Sequence, residues 1–225
     1  MIPPRPRRER GFTLIELLVV IGILGLLIVA FAPSLGGAIG AGDEATTRAR
    51  QIELVAMAEA YQRYYGEFPP DDLSIVAADL QASWQLGTDN GKNTGIESLV
   101  MHLSQDPKAG GRLHERMDWL ANTDGDKAPV DVPLLSTRER LEVVDAWGTP
   151  FAYFSATAGS AYQGKQRIVP RAADGAAELE LVAEPWKDPA TGAYLNPRKF
   201  QIVSAGADLT FNTDDDLVYP EIPSR

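Results

Sequence analysis

The sequence predicts an α+β protein with one long N-terminal helix, a small number of β-strands and a loop-rich C-terminal part. Residues 12–32 form an apolar run, and residues 43–65 continue with apolar side chains at three- and four-residue spacing, which is typical of an amphipathic helix. Farther along, residues 151–154 and 199–204 are short, are rich in aromatic and β-branched side chains and lie beside turn residues, which is typical of strands. Together these segments predict the α+β class.

Residues 1–11 form a basic stub ahead of the apolar run. The stub carries four arginines and one glutamate. Because basic flanks remain on the cytoplasmic side of a membrane segment, we expect a cytoplasmic N-terminus and an outward-facing remainder. Residues 12–33 are long enough, at helical rise, to cross a hydrocarbon core of about 30 Å. The sequence therefore predicts a single transmembrane helix over 12–33.

A cleaved secretory signal is the main alternative for residues 1–32, since it also has a basic start and an apolar centre. The core of such a signal is usually about 7–15 residues long and is cut after a small-x-small site. Here the apolar run is longer, and Glu16 lies near its start. A carboxylate in hydrocarbon costs about 3 kcal/mol on insertion scales, so it is normally paired or functional. Glu16 is thus a candidate functional residue.

Residues 34–66 are predicted to extend the helix beyond the membrane as an amphipathic segment. Glycines within 34–42 would each weaken a helix by about 1 kcal/mol relative to alanine, so we expect bending or melting there. Gly66 is a candidate C-cap, and the prolines that follow Phe68 cannot continue a helix. A globular domain is predicted over 67–225, in which Gly148 forms a turn and Trp147 contributes to the core.

Composition limits the partners and the chemistry. The formal net charge of −10 disfavours nucleic acid and suits a solvated extracytoplasmic domain that binds cations, and the absence of cysteine excludes disulfides. The two histidines, His102 and His114, have no nucleophile beside them, and no phosphate-binding or zinc pattern occurs. The adjacent acids Asp71 and Asp72 follow two prolines, as in a solvated helix start. We therefore expect a protein that is not an enzyme.

Two acidic segments are candidate metal sites. Residues 204–217 hold four aspartates, which would repel one another without a counter-ion, and calcium accepts six to eight oxygens in the flexible geometry of such a loop. The alternative is a solvated acidic turn. A second, weaker candidate is the pair Asp124 and Asp126, where asparagine, aspartate and glycine are also ordinary turn residues.

The stretch from Gly11 through Phe12 to Glu16 resembles the class III signal of type IV pilins and type II secretion pseudopilins. Pro33 would be the twenty-second mature residue, where many of these proteins have proline. The resemblance implies that a prepilin peptidase cuts between Gly11 and Phe12 and methylates the new amine of Phe12. It also implies that Glu16 pairs with the Phe12 amine of a neighbouring subunit during assembly.

Downstream segments 66–69, 95–100 and 145–153 resemble the major pseudopilin of type II secretion. This resemblance implies a long helix packed on a small antiparallel sheet, an insertion over 104–140 and a calcium loop over 204–217. Leu209 stands where that family usually has glycine, and Asp215 is expected to face solvent. The implied side-chain ligands are Asp208, Asp214 and Asp216, with carbonyls of Ser204, Ala207 and Thr210 completing the shell.

The resemblance implies a structural subunit of a type II secretion pseudopilus, a helical homopolymer that drives protein export. Its partners would be minor pseudopilins, the inner-membrane assembly platform and the prepilin peptidase. It would be a single-pass protein of the bacterial inner membrane, with a periplasmic C-terminal domain. Two alternatives stay open: a type IV pilin or minor pilin of a surface fibre for adhesion, motility or DNA uptake, and a monomeric membrane-anchored binding protein.

Overall fold

The computed structural model describes residues 13–73, 89–104, 112–132, 135–156, 162, 164–172 and 179–221, with only the backbone for 28–39 and Val132. The chain divides into two compact units, Met1–Gly42 and Asp43–Arg225. The leader 1–11, including Gly11, and the following Phe12 lie outside the described residues, as do parts of the predicted insertion 104–140. The side chains of residues 28–33, at the end of the predicted membrane segment, also lie outside them.

One helix, α1, runs from Leu14 to Tyr65 across 52 residues. The backbone stays helical through 34–42, where the glycines predict bending or melting, so no melting occurs. Gly66 ends the helix as expected: its φ of 88° is left-handed, and its amide donates to Gln62 O at 2.8 Å. Within the described part of the chain, no helix combines the length and the apolarity needed to span a membrane.

Besides the end of α1, the second unit contains a short helix and nine strands among its described residues. The helix is α2, Thr94–Leu103, and 3₁₀ turns cover Leu113–Glu115 and Met117–Trp119. The strands are β1 (Leu120–Ala121), β2 (Lys127–Val132), β3 (Thr137–Glu139), β4 (Glu142–Val143), β5 (Ala152–Ser155), β6 (Gln166–Ile168), β7 (Leu181–Ala183), β8 (Phe200–Ser204) and β9 (Leu217–Tyr219).

All pairs of the described strands are antiparallel, and they form the small sheets β1–β4, β2–β3, β5–β8–β9 and β6–β7. The predicted α+β class is confirmed, although the strands are divided among several sheets where the resemblance implied one. The predicted strands at 151–154 and 199–204 become β5 and β8, which pair over Ala152↔Val203 to Ser155↔Phe200.

The three-stranded sheet separates two apolar clusters of the second unit. Tyr153, Phe200 and Ile202 face one cluster, which includes the α1 residue Leu54 and Leu99 of α2. Alternate positions of the same strands face the other cluster; these are Ala152, Phe154 and Val203. Because successive side chains of a strand point to opposite faces, burial on both faces explains why these strands have a continuous rather than an alternating apolar pattern.

A turn over residues 145–149 ties the sheet to α1, since the Ala146 amide donates to Thr47 Oγ1 of α1 at 3.1 Å. Asp145 Oδ1 accepts hydrogen bonds from the amides of Trp147 and Thr149 at 3.0 and 2.9 Å, and its Oδ2 accepts from Ser204 Oγ at 2.7 Å. The predicted turn at Gly148, which has a φ of 86°, is confirmed. Trp147 is only half-buried and lies outside both clusters, so its predicted core role is wrong, because its backbone occupies the solvent-facing tip of the turn.

Candidate functional site

The first candidate site is the start of α1, where Glu16 closes a reciprocal cap. Thr13 donates to Glu16 Oε2 from its backbone amide at 2.9 Å and from its hydroxyl at 2.7 Å, while the Glu16 amide donates to Thr13 Oγ1 at 3.3 Å. This threonine–glutamate pair is a capping box, and it satisfies amides that a helix start leaves without partners. Glu16, the predicted assembly residue, thus stabilises the start of its own helix in the single chain.

Apolar side chains cover the part of α1 that follows this cap. These side chains are largely exposed: Leu14 is 80 % exposed and Leu26 is 72 % exposed. The other large apolar residues of this stretch that are exposed are Ile15, Leu17, Leu18, Val19, Val20, Ile21, Ile23, Leu24 and Leu27. An apolar surface of this extent marks contact with lipid or with another protein surface.

The second candidate site is the loop between β8 and β9, which contains the predicted calcium ligands. Asp215 organises the loop, since its Oδ2 accepts from the Asp208 amide at 3.0 Å and its Oδ1 accepts from Thr213 Oγ1 at 2.6 Å. Asp215 is exposed, as predicted, but its carboxylate also binds within the loop. Leu209 has a φ of 58°, a left-handed conformation that explains why glycine would suit this position.

The predicted ligands of this loop differ in their surroundings. Asp208 and Asp214 are exposed, and Asp208 Oδ1 accepts from the Thr210 amide at 2.7 Å. Asp216 is buried, and its Oδ2 accepts from the Trp186 indole at 2.9 Å and from the Asn212 amide at 2.8 Å. Burial raises the pKa of Asp216 to about 6. Its Oδ1 is buried without a hydrogen-bond partner and is the atom of this loop best placed to serve a cation.

The remaining carbonyl candidates lie at the ends of this loop. Ser204 is the last residue of β8 and pairs with Leu217 of β9, and Thr210 O accepts from Thr213 Oγ1 at 3.2 Å. Ala207 precedes Asp208 in the turn. Groups of three acidic ligand oxygens within 4.8 Å of one another do occur in the described part of the chain, but the two such groups lie elsewhere.

The third site is an acidic cluster that joins the weaker candidates Asp124 and Asp126 to three carboxylates distant in sequence. We define the acidic cluster as Asp89, Glu97, Asp124, Asp126 and Glu142. One group of oxygens within 4.8 Å comes from Asp89, Glu97 and Asp126, and the other comes from Glu97, Asp124 and Glu142. Glu97 belongs to both groups and therefore lies at the centre of the cluster.

A buried arginine neutralises one half of the acidic cluster. The Arg140 side chain is 1 % exposed, and its Nη1 lies 3.0 Å from Asp126 Oδ2, 3.4 Å from Asp89 Oδ1 and 3.8 Å from Glu97 Oε2. No such ion pair reaches Asp124 or Glu142 from the described basic side chains. The described ion pairs of Arg140 therefore lie in the half of the cluster that contains Asp89 and Asp126.

Neutral donors hold the other half in place. Glu142 accepts from Asn93 Nδ2 and from the Thr123 amide, both at 3.0 Å. Asp124 accepts from Asn90 Nδ2 at 2.9 Å. Asn93 itself has a left-handed φ of 49° and starts α2, so one residue fixes both the helix start and the Glu142 carboxylate.

Glu97 is completely buried on α2, and neither of its carboxylate oxygens has a hydrogen-bond partner. Burial and then the neighbouring carboxylates raise the pKa of Glu97 to about 10, and burial and Asp124 raise the pKa of Glu142 to about 8. An ionised, buried carboxylate without hydrogen bonds is unfavourable, so the cluster requires a proton or a further cation.

Sequence reasoning found Asp124 and Asp126 but missed Asp89, Glu97 and Glu142. Glu97 lies in the first turn of a helix, where an acid ordinarily faces solvent and favours the helix dipole. Burial of its partner Arg140 depends on strand pairing and not on local sequence. A usable signal would have been the apolar residues three and four positions after Glu97, Val100 and Met101, which share its face of the helix and are buried.

Comparison with known proteins gives one match. Residues 6–32 match the family model described as the prokaryotic N-terminal methylation motif. No curated protein and no solved structure matches the chain. The match covers the predicted cleavage position, Phe12 and Glu16 together, and it supports a type IV pilin-like protein with a prepilin-type N-terminus.

Proposed function

We propose that this chain is a structural subunit of a type II secretion pseudopilus, anchored in the inner membrane by α1 and assembled into a filament that drives protein export. The observation that carries the proposal is the methylation motif at residues 6–32, which contains Gly11, Phe12 and Glu16 in the spacing of a processed pilin-like subunit. The chain performs no bond chemistry of its own in this proposal. Its role is to pack against other subunits in the filament, and the prepilin peptidase and the assembly platform act on it.

The exposed apolar surface of α1 supports assembly. Leu14, Leu18 and Leu26 are each more than 60 % exposed in the single chain, so lipid or neighbouring helices have to cover them. Burial of an exposed leucine contributes about 1.5–3 kcal/mol, and eleven large apolar residues between Leu14 and Leu27 are exposed. Helices that leave the membrane can retain this burial by packing against one another in a filament core.

Electrostatics would set the register of that packing. Cutting after Gly11 creates a positive amine on Phe12, and a carboxylate in an apolar filament core needs such a partner. Glu16 already accepts two hydrogen bonds from Thr13 of its own chain. The Phe12 amine of the neighbouring subunit would also bind the Glu16 carboxylate. The same carboxylate would then cap its own helix and bind the adjacent subunit.

Processing is tested by mass spectrometry of the chain expressed with a prepilin peptidase. The expected mass is that of a chain beginning at methylated Phe12. A mass that retains Met1, or one that begins beyond Ala32, would overturn the proposed processing.

Assembly is tested with Glu16→Gln, because glutamine keeps the acceptor of the capping box and loses only the charge. We expect the variant to be cut and methylated but not incorporated into filaments. Glu44→Ala is the matched control, since Glu44 is an exposed acid of the same helix whose ion pair with Arg48 at 3.0 Å is local. Filaments of normal length and number from Glu16→Gln would contradict the charge pairing.

Calcium bound by the β8–β9 loop is part of the proposal. Asp216 Oδ1, which is buried without a hydrogen-bond partner, supports it, and Asp208 and Asp214 would have to turn toward this atom. When bound, calcium would offset the charge of the loop and hold β8 and β9 together. Asp208→Asn with Asp214→Asn should reduce the calcium-dependent rise in Tm, and an unchanged rise would contradict this assignment.

The alternative is a type IV pilin of a surface fibre, which would share the methylation motif and Glu16. The location of the filament distinguishes a pseudopilin from a surface pilin. If the chain is a pseudopilin, labelled subunits should remain in the periplasm, and release of an exported protein should require them. Fibres on intact cells, with normal export in a deletion strain, would favour the surface pilin.

A further inference from the structure

We propose that Glu97, Asp124 and Glu142 bind one divalent cation, with the properties of calcium, in the interior of the second unit. This site is separate from the β8–β9 loop, and it does not depend on the proposed filament function. The argument rests on the geometry of the ligand oxygens, on the position of Arg140 and on the lack of hydrogen bonds to Glu97.

The spacing of the oxygens fits one ion. Ligand atoms of Glu97, Asp124 and Glu142 lie within 4.8 Å of one another. Calcium–oxygen bonds are about 2.4 Å long, so two oxygens on opposite sides of a calcium ion are about 4.8 Å apart. Magnesium requires bonds of about 2.1 Å, usually keeps several waters and is bound by one or two carboxylates, so a site with three protein carboxylates suits calcium better.

Among the described residues, the ion pairs of Arg140 lie in the other half of the cluster. Arg140 Nη1 is within 3.8 Å of Asp89, Glu97 and Asp126. Within the described residues, Asp124 and Glu142 receive hydrogen bonds only from neutral donors. Five carboxylates and one guanidinium therefore share a largely buried region, and a divalent cation beside Asp124 and Glu142 would offset the charge that Arg140 does not.

Glu97 is the independent sign of a missing ligand. It is fully buried, it belongs to both groups of oxygens, and neither of its oxygens has a hydrogen-bond donor. Its ion pair with Arg140 is long, at 3.8 Å, and involves only Oε2. Buried carboxylates in folded proteins are otherwise paired or hydrogen-bonded. Protonation of Glu97 is the competing explanation, since its raised pKa of about 10 reflects the same surroundings.

The remaining partners would preorganise the site. Asn93 and the Thr123 amide each hold one oxygen of Glu142, and each oxygen keeps a lone pair for a metal ion. Asn90 holds Asp124 in the same manner. Hydrogen bonds of this kind orient ligands, and their loss typically weakens metal binding about 10–100-fold.

The test uses the full chain in detergent micelles, stripped with a chelator, in the background Asp208→Asn/Asp214→Asn so that the β8–β9 loop does not contribute. Calcium is added in a calorimetric titration, and Tm is followed by tryptophan fluorescence. We expect one calcium per chain. We also expect a rise in Tm of about 5–10 °C when free calcium is about 100-fold above Kd.

Three single variants then locate the ion. Glu97→Gln and Asp124→Asn should each weaken calcium binding by at least about tenfold, and Glu97→Gln should raise the Tm of the chelated protein because it removes a buried charge or a costly proton. Glu139→Gln, an exposed acid of β3, is the matched control and should bind as the parent does.

The outcomes separate the explanations. No calcium binding in the parent at pH 8, with an unchanged Tm, would overturn the proposal and leave Glu97 as a protonated core acid. Unchanged calcium binding in Asp124→Asn would also overturn the proposal. Because Asp124 lies on a partly exposed loop, Asp124→Asn tests the site even if Glu97→Gln fails to fold. Magnesium that binds as tightly as calcium would contradict the stated selectivity.

Discussion

Gly206 lies at the entry of the β8–β9 loop, and replacing it with alanine should destabilise the protein far more than the same change at Gly148. Both glycines have left-handed φ values, 67° at Gly206 and 86° at Gly148. A Cβ at Gly206 would lie 2.4 Å from the Asp215 carbonyl oxygen and 2.7 Å from Asp215 Oδ2, whereas a Cβ at Gly148 would meet nothing within 4 Å. The pair therefore separates backbone strain from steric overlap.

The magnitudes follow from these two effects. A left-handed conformation costs an L-residue about 1–2 kcal/mol, which is the whole cost expected at Gly148. Overlap in a packed region adds about 1–3 kcal/mol, so Gly206→Ala should cost about 2–5 kcal/mol in all. For a chain of this size, 1 kcal/mol changes Tm by about 2–4 °C, and the two variants should differ by roughly 2–12 °C.

The assay is thermal unfolding of both variants in chelator, followed by tryptophan fluorescence with the wild type alongside. Equal Tm values for Gly206→Ala and Gly148→Ala would refute the reasoning, since they would show that Asp215 moves without cost. Hydrogen exchange at the Asp208 amide is a second measurement: displacement of Asp215 Oδ2, which accepts from this amide at 3.0 Å, should speed exchange there and leave the centre of β8 protected.

The other predictions concern stability. Burial lowers the pKa of His102 to about 4. Between about pH 6.5 and pH 4, the unfolded chain therefore binds a proton that the folded chain does not. The free energy of unfolding should fall by up to about 3 kcal/mol as the pH drops through this range. His102→Phe, which keeps the ring beside Tyr61, should flatten the pH profile of unfolding relative to the wild type, and identical profiles would contradict it. Gln51→Leu should cost about 1–3 kcal/mol in urea unfolding, because Gln51 Nε2 donates to the carbonyls of Ile202 and Leu217 at 2.8 and 2.9 Å; an unchanged midpoint would count against it.

Local signals predicted much of the fold. Gly66 ended α1 as expected because a left-handed cap is favourable for glycine, and the turn at Gly148 followed from the same property. The strands at 151–154 and 199–204 were found because both faces of the central sheet are buried, which leaves a continuous apolar signature. These features depend on neighbours in sequence, which is why sequence alone is sufficient to find them.

Features that depend on packing between distant parts of the chain could not be predicted from the sequence. Trp147 was expected in the core, but Trp119, from a region predicted to be an insertion, packs against the first apolar cluster instead. Arg140 and Glu97 are separated by 43 positions, and nothing near either residue indicates that β4 and α2 bring them together inside the fold. Burial of charge is a property of the assembled sheets, so charge pattern along the chain does not reveal it.

This difference bears on where a cation is needed. The density of aspartates along the chain predicts the β8–β9 loop, yet Asp208, Asp214 and Asp215 are exposed, and water and internal hydrogen bonds already stabilise their charge. The acidic cluster has a lower density of acids in sequence, but Glu97 and Glu142 are removed from water, and repulsion between buried carboxylates is screened far less. The free energy available to a cation is therefore expected to be larger at the acidic cluster than at the loop. On this argument, calcium titration of the wild type should show a tighter and a weaker site. Titration of Glu97→Gln should show that the tighter site is lost, and titration of Asp208→Asn/Asp214→Asn should show that the weaker site is lost. The reverse order would show that burial does not govern cation affinity in this protein.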